Sequence, residues 1–170
     1  PNHPHSRLPV THPLKRLFLD YFHLKELLFT IKILPGLWKT KPDVIFPQNS
    51  GWEVLVPRMF STIINAKIIV AGQSGPGWND RVNLYIHPDI FVALTKVQAD
   101  WAQEATPWKN QKIVVIPNGV DPEKFSPKGK KRIIDLLSPI ILVVGAAIKS
   151  KGIQNTIKSV AGLKSASLLV

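Results

Sequence analysis

The 170 residues are 45% hydrophobic and 19% charged, with a mean hydropathy of +0.07. That balance excludes disorder, collagen and coiled coil as readings of the whole and leaves room for one good core or two small ones. No cysteine is present, which excludes disulfide scaffolds, thiolate zinc sites, iron–sulfur clusters and cysteine nucleophiles; the formal charge of +11 favours anionic partners such as nucleic acid, nucleotide phosphates or an anionic membrane surface.

The excess charge sits at the two ends: residues 1–70 carry nine basic and four acidic side chains, 71–120 four of each, and 121–170 nine and three. The chain opens at Pro1 in a stretch of Pro and His and stops at Val170 inside an apolar run, so it reads as a fragment cut at both ends. His3, His5 and His12 lack carboxylates at ligand spacing, and no metal site is expected from them. Leu14, Leu17, Tyr21, Leu24, Leu28 and Ile31 recur at spacings of three and four, which predicts one amphipathic helix, closed or kinked at Pro35-Gly36. Asp20, His23, Lys25, Glu26 and Lys32 are too many ionisable groups for a membrane span. Phe18, Phe22, Phe29 and Trp38 stand among Lys15, Arg16, Lys25, Lys32, Lys39 and Lys41, and two roles stay open for this helix: cover for a sheet, or peripheral contact with anionic lipid.

Asp43 to Phe46 then reads as a short buried strand, Gly51 to Ile64 as a helix, and Lys67 to Ala71 as a second strand running into the loop Gly72-Gln73-Ser74-Gly75-Pro76-Gly77. Ile90 to Leu94 is a third strand, Lys96 to Glu104 a helix, and Lys112 to Ile116 a fourth strand ending at Pro117. Strands alternating with helices at this interval predict a parallel α/β sheet covered on both faces. From Asn118 to Pro139 the pattern gives way to Gly, Pro and charge, which marks a linker. A new unit follows: strand Ile140 to Val144, a loop, helix Gly152 to Leu163, and the opening of another strand at Ala166 to Val170. The strand ending in Gly145 and the helix beginning near Gly152 offer free N–H groups and a positive dipole end, with Lys149 and Lys151 adding charge, a place suited to a diphosphate.

Pro117-Asn118-Gly119-Val120-Asp121, then Phe125 and Pro127, then Val143-Val144-Gly145 with Lys151-Gly152 beyond it, resemble the family 4 (group 1) glycosyltransferases of the GT-B fold. Lys41-Pro42-Asp43-Val44-Ile45 and Phe91-Val92-Ala93-Leu94-Thr95 are similar to two earlier strands of that family, so the resemblance covers roughly residues 40–165. It implies two Rossmann-like domains with parallel sheets: 1–117 as the remainder of an acceptor-side domain, 118–139 as the interdomain linker, and 140–170 as the start of a donor-binding domain truncated after its first βαβ unit. It also implies a retaining glycosyltransferase of the hexosyltransferase type, which moves a sugar from a nucleotide-sugar donor to a hydroxyl of a polysaccharide, lipid-linked or small-molecule acceptor in cell-envelope polysaccharide synthesis. The chain alone is expected to be inactive.

Under that resemblance Gly145, Lys149, Lys151 and Gly152 bind the donor diphosphate. Gln73, Ser74 and Gly75 face the acceptor or donor sugar, and Asn118, Gly119 and Asp121 form the interdomain hinge. Trp78, Asn79, Asp80 and Arg81 line an acceptor pocket or, alternatively, form a structural Trp with an Asp–Arg surface pair. The catalytic residues are not identified, no metal or other cofactor is required, and the setting is cytoplasmic, including peripheral contact with the cytoplasmic membrane face. Two positions depart from the family: Ala146 stands where Arg is usual, and Gln73 where His is usual. A noncatalytic homologue and a basic nucleic-acid-binding α/β module are the alternatives, the second without any RRM, KH or helix-turn-helix signature, so nucleic acid is not expected as a partner.

Overall fold

The computed structural model describes residues 12–73, 75–128, 135–148, 151–163 and 165–170. The chain divides into two compact units that meet between Gly119 and Val120.

The first unit begins with a short helix α1 (Pro13–Arg16), where Pro occupies the opening turn that needs no N–H. The single helix expected from Leu14 to Leu34 is in fact broken after Arg16. Phe18 adopts φ 56°, and Asp20 caps a new helix, α2 (Tyr21–Thr40), by accepting from the N–H groups of Phe22 and His23. A short hydrogen bond to the His23 ring adds to this cap. At its other end α2 continues through Pro35-Gly36 and stops at Lys41, whose left-handed backbone returns its N–H to the carbonyl of Leu37. Proline forfeits one intrahelical bond but does not stop a helix held by packing on its neighbour, here α3 (Trp52–Ile64).

The strands β1 (Val44–Ile45), β2 (Lys67–Ala71), β3 (Ile90–Ala93) and β4 (Ile113–Val115) form a parallel sheet in the order β1-β2-β3-β4. In register, Ile45 lies beside Ile68, Val70 beside Phe91, and Phe91 beside Ile113. Two further helices, α4 (Trp78–Tyr85) and α5 (Lys96–Ala105), carry the later crossovers. Ile68, Val70, Phe91 and Ala93 share one sheet face and pack there with Val54 of α3, Leu84 of α4 and Ala102 of α5. The strand order never reverses, and with crossovers of one hand, the rule for parallel sheets, all three helices fall on the same face, as the shared core shows. The expected parallel α/β sheet is thus present, with its three connecting helices on one face. Ile69, Val92 and Val114 lie on the opposite face.

Asp89 fastens the start of this sheet, accepting from the backbone N–H of Ile68 at 2.8 Å and from Lys67 Nζ and Arg58 Nη1 at 3.2 Å each. Burial pushes its carboxyl up, but the Ile68 N–H and the Lys67 and Arg58 cations outweigh burial and hold it below the ordinary value. Asp20 behaves alike: burial opposes ionisation, and the hydrogen bond and charge of His23 with the two capping N–H groups reverse the balance. A carboxyl whose pKa is lowered by folding adds stability that is complete above its unfolded pKa of about 4 and is lost as pH falls through the folded value. Asp89→Asn should therefore flatten the acid limb of the stability curve below about pH 4. An acid limb with the wild-type slope in that variant would show that Asp89 is not coupled to folding.

The second unit consists of β5 (Ile140–Leu142), α6 (Ile153–Ala161) and β6 (Ser167–Leu169), with β5 and β6 parallel. Ile140 pairs with Ser167 in a sheet separate from the first. Among its described residues Ile153 is the one buried apolar side chain, while Leu142 is 62% and Val144 86% exposed. A two-stranded sheet cannot bury its own faces.

Candidate functional site

The C-terminal ends of β1 and β2 open on a small pocket of about 90 Å³ lined by Gln48, Asn49, Ser50, Ala71, Gln73, Asn79, Asp80 and Asn83. Three local structures build it. The Gln48-Asn49-Ser50 turn after β1 ends at Gly51, whose φ of 67° favours glycine, and a Cβ there would fall 2.5 Å from Cδ1 of Phe18. After β2 the chain passes Gly72, where a Cβ would lie 2.7 Å from Cζ of Phe91 and 2.9 Å from Oδ2 of Asp80. Helix α4 then presents Asp80 and Asn83 inward, 2% and 1% exposed.

Gln98 locks this arrangement. Its Nε2 donates to the Gly72 carbonyl at 2.8 Å and to Asp80 Oδ2 at 3.0 Å, while its Oε1 accepts from the Leu94 N–H at 2.8 Å. Gln98 is itself placed by the cap of α5, where Thr95 Oγ1 accepts from the Gln98 N–H. Asn83 Nδ2 donates to the Asn49 carbonyl at 3.4 Å, and Asn83 Oδ1 is buried without a partner. A buried acceptor left unpaired is unfavourable unless a ligand or water donates to it. Among the described residues the lining includes one carboxylate, several amides and no Lys, Arg or His, so it suits an uncharged ligand with several hydroxyl donors better than a phosphate.

Of the residues expected on this side, Gln73 lines the pocket and is exposed, and Gly75, at φ 72°, faces open space. Ser74 falls outside the described residues. Asn79 and Asp80 line the pocket, whereas Trp78 does not: its Nε1 donates to the Arg16 carbonyl, and the Arg16 guanidinium lies 5.7 Å from its ring centroid. The composition of the loops did not single out Gln48, Asn49, Ser50, Asn83 or Gln98. Two signals were available: the polar run Gln48-Asn49-Ser50 directly after a strand, where open α/β sheets hold ligands, and Thr95-x-x-Gln98, a capping-box pattern.

The second candidate place belongs to the second unit. Gly152, at φ 69°, caps α6 with no side chain satisfying the first N–H groups, and Lys151 directly before it is exposed. The Lys151 N–H closes a turn onto the Ile148 carbonyl at 3.0 Å. Gly145 is exposed with open space around its α-carbon, and Lys149 falls outside the described residues. This end combines helix-terminal N–H groups with one described cation, the arrangement that attracts a phosphate. At the boundary between the units Asn118 and Gly119 are exposed. Asp121 turns the chain locally, its Oδ1 accepting from the N–H groups of Glu123 and Lys124.

No group of three His, Cys, Asp or Glu that could hold a metal ion occurs among the described residues, and His3 and His5 lie outside them. Likewise, no helix among them is long and apolar enough to cross a membrane. Comparison with protein-family models, curated proteins and solved structures finds no match.

Proposed function

We propose that the chain is part of a retaining glycosyltransferase of GT-B architecture, with the second unit on the donor side and the first on the acceptor side. The observation that carries this reading is Lys151 immediately before the left-handed Gly152 that opens α6 without a side-chain cap, a phosphate-attracting end in a parallel βαβ unit. The amide-rich pocket of the first unit, with its one carboxylate, supports the same reading, since an acceptor sugar offers hydroxyls that donate to such groups. Reaction then depends on holding the donor and on stabilising the departing diphosphate, for which no resident metal is invoked. The setting that fits is the cytoplasm, in cell-envelope polysaccharide synthesis.

Titration of the chain with a nucleoside diphosphate should move the amide resonances of Lys151, Gly152 and Ile153 before any in the first unit. In the intact polypeptide, nucleoside diphosphate should be released from a nucleotide sugar in step with glycosylation of an acceptor. Perturbation confined to residues other than 151–153 would remove the donor assignment.

A further inference from the structure

Asn118-Gly119 is the one Asn-Gly pair in the chain, and its two residues close the first compact unit. The last sheet hydrogen bond before them runs from the Ile116 N–H to the Ala93 carbonyl at 2.9 Å. Both residues are exposed and lie outside helix and strand, and a Cβ built on Gly119 would meet nothing within 4 Å. Among the described residues neither the Asn118 side chain nor the Gly119 N–H has a hydrogen-bond partner. The nearest carboxylate in sequence, Asp121, spends its bonds on the N–H groups of Glu123 and Lys124 and does not hold the pair.

Every other described asparagine is restrained. Asn79, Asn83 and Asn155 lie in α4 and α6, where helical dihedrals hold the following backbone nitrogen away from the side-chain carbonyl. After Asn65 and Asn110 the next N–H is already engaged, that of Ala66 with the Ser61 carbonyl at 2.9 Å and that of Gln111 with the Trp108 carbonyl at 3.1 Å. Asn49 donates its amide to Glu53 and precedes Ser50, whose Cβ crowds an approach to the asparagine carbonyl. Gly119 has no Cβ and wide backbone freedom, so its nitrogen reaches Cγ of Asn118 unhindered. Once hydroxide removes its proton, that nitrogen attacks Cγ: the new N–Cγ bond closes a five-membered imide, the Cγ–Nδ2 bond breaks, and ammonia leaves. Water then opens the ring. Entry at Cγ gives aspartate, and entry at the backbone carbonyl gives isoaspartate, whose main chain runs through Cβ and Cγ and is longer by a single atom. Either product carries a carboxylate where the amide stood and lowers the formal charge of +11 by one.

We propose that Asn118 is a site of spontaneous covalent modification in the folded protein, converted through this imide to aspartate and isoaspartate at the end of the first unit. The proposal does not rest on glycosyl transfer. The folded chain is incubated at neutral to mildly alkaline pH and digested briefly with trypsin, which releases residues 113–124 with Asn118 as their one asparagine. That peptide should become about 1 Da heavier and separate into two products before any other asparagine-containing peptide changes. Between about pH 7 and 9 the rate should rise about tenfold per pH unit, because the attacking amide anion grows in proportion to hydroxide. Gly119→Ala should slow conversion about tenfold, since a Cβ hinders the attack. Gly119 has open space around it and a backbone outside the left-handed region, so this variant should keep the wild-type circular dichroism. A peptide 113–124 that stays unchanged in the folded chain, yet converts once released, would overturn the proposal. So would an equal rate in Gly119→Ala, or earlier conversion at Asn49, Asn65 or Asn110.

Discussion

Gln98→Leu should lower the stability of the first unit by about 3–5 kcal/mol, although Leu matches Gln in size. The amide serves three partners at once: it accepts from the part-buried Leu94 N–H and donates to the buried Gly72 carbonyl and Asp80. Leucine offers none of these; a buried group that loses a hydrogen bond costs about 1–3 kcal/mol, and the three share one network, so the total is less than their sum. The carboxylate of Asp80 loses a donor while remaining buried, which accounts for the upper part of the range. All five tryptophans precede Val120, so urea unfolding followed by tryptophan fluorescence reads the first unit alone. The same variant should loosen the polar pocket, because Gln98 holds Asp80 and Gly72 where β2 ends. A loss below about 1 kcal/mol would mean that solvent reaches this network and replaces the amide.

The elements most legible in the sequence were those with apolar periodicity. Ile68, Val70, Phe91 and Ala93 supply four of the buried core positions, and the strand runs containing them stand out from their flanking polar loops. Helix α4 left no such trace because the face it buries includes Asp80 and Asn83 beside Leu84. A helix that buries polar side chains around a pocket has no hydrophobic stripe to detect. The break at Leu17 to Asp20 was hidden for the opposite reason: Leu14, Leu17, Tyr21 and Leu24 keep helical spacing across it, and only the capping chemistry of Asp20 with Phe22 and His23 shows that the chain restarts there. The one-sided placement of α3, α4 and α5 follows from strand order, which no local pattern carries. In the pocket, Gln73 was legible from its glycine-rich loop, whereas Asn83 was not, since its significance comes from burial with an unpaired oxygen.

In the intact polypeptide, Lys151→Ala should lower kcat/KM by about tenfold to a few hundredfold, since a charge-assisted contact to phosphate in a partly desolvated cleft contributes about 1.5–3 kcal/mol. The position sets this value. Lys151 immediately precedes Gly152, whose left-handed backbone opens α6, so under the proposed donor role its ammonium would act on a phosphate that the helix-terminal N–H groups attract. Lys149→Ala should cost less, being two residues further from that glycine. The exposed Ala146 supplies the complementary test. If the site lacks a second cation, Ala146→Arg should tighten nucleotide binding; if another lysine already serves, it should change little. Folding should be untouched by Lys151→Ala, as the side chain is exposed and its backbone N–H keeps the Ile148 carbonyl. The loss should appear in donor affinity as well as rate, and should shrink with rising salt as the exposed part of the contact is screened. Equal and small effects of the two lysine substitutions on both quantities would leave the Lys-Gly turn as a helix start and nothing more.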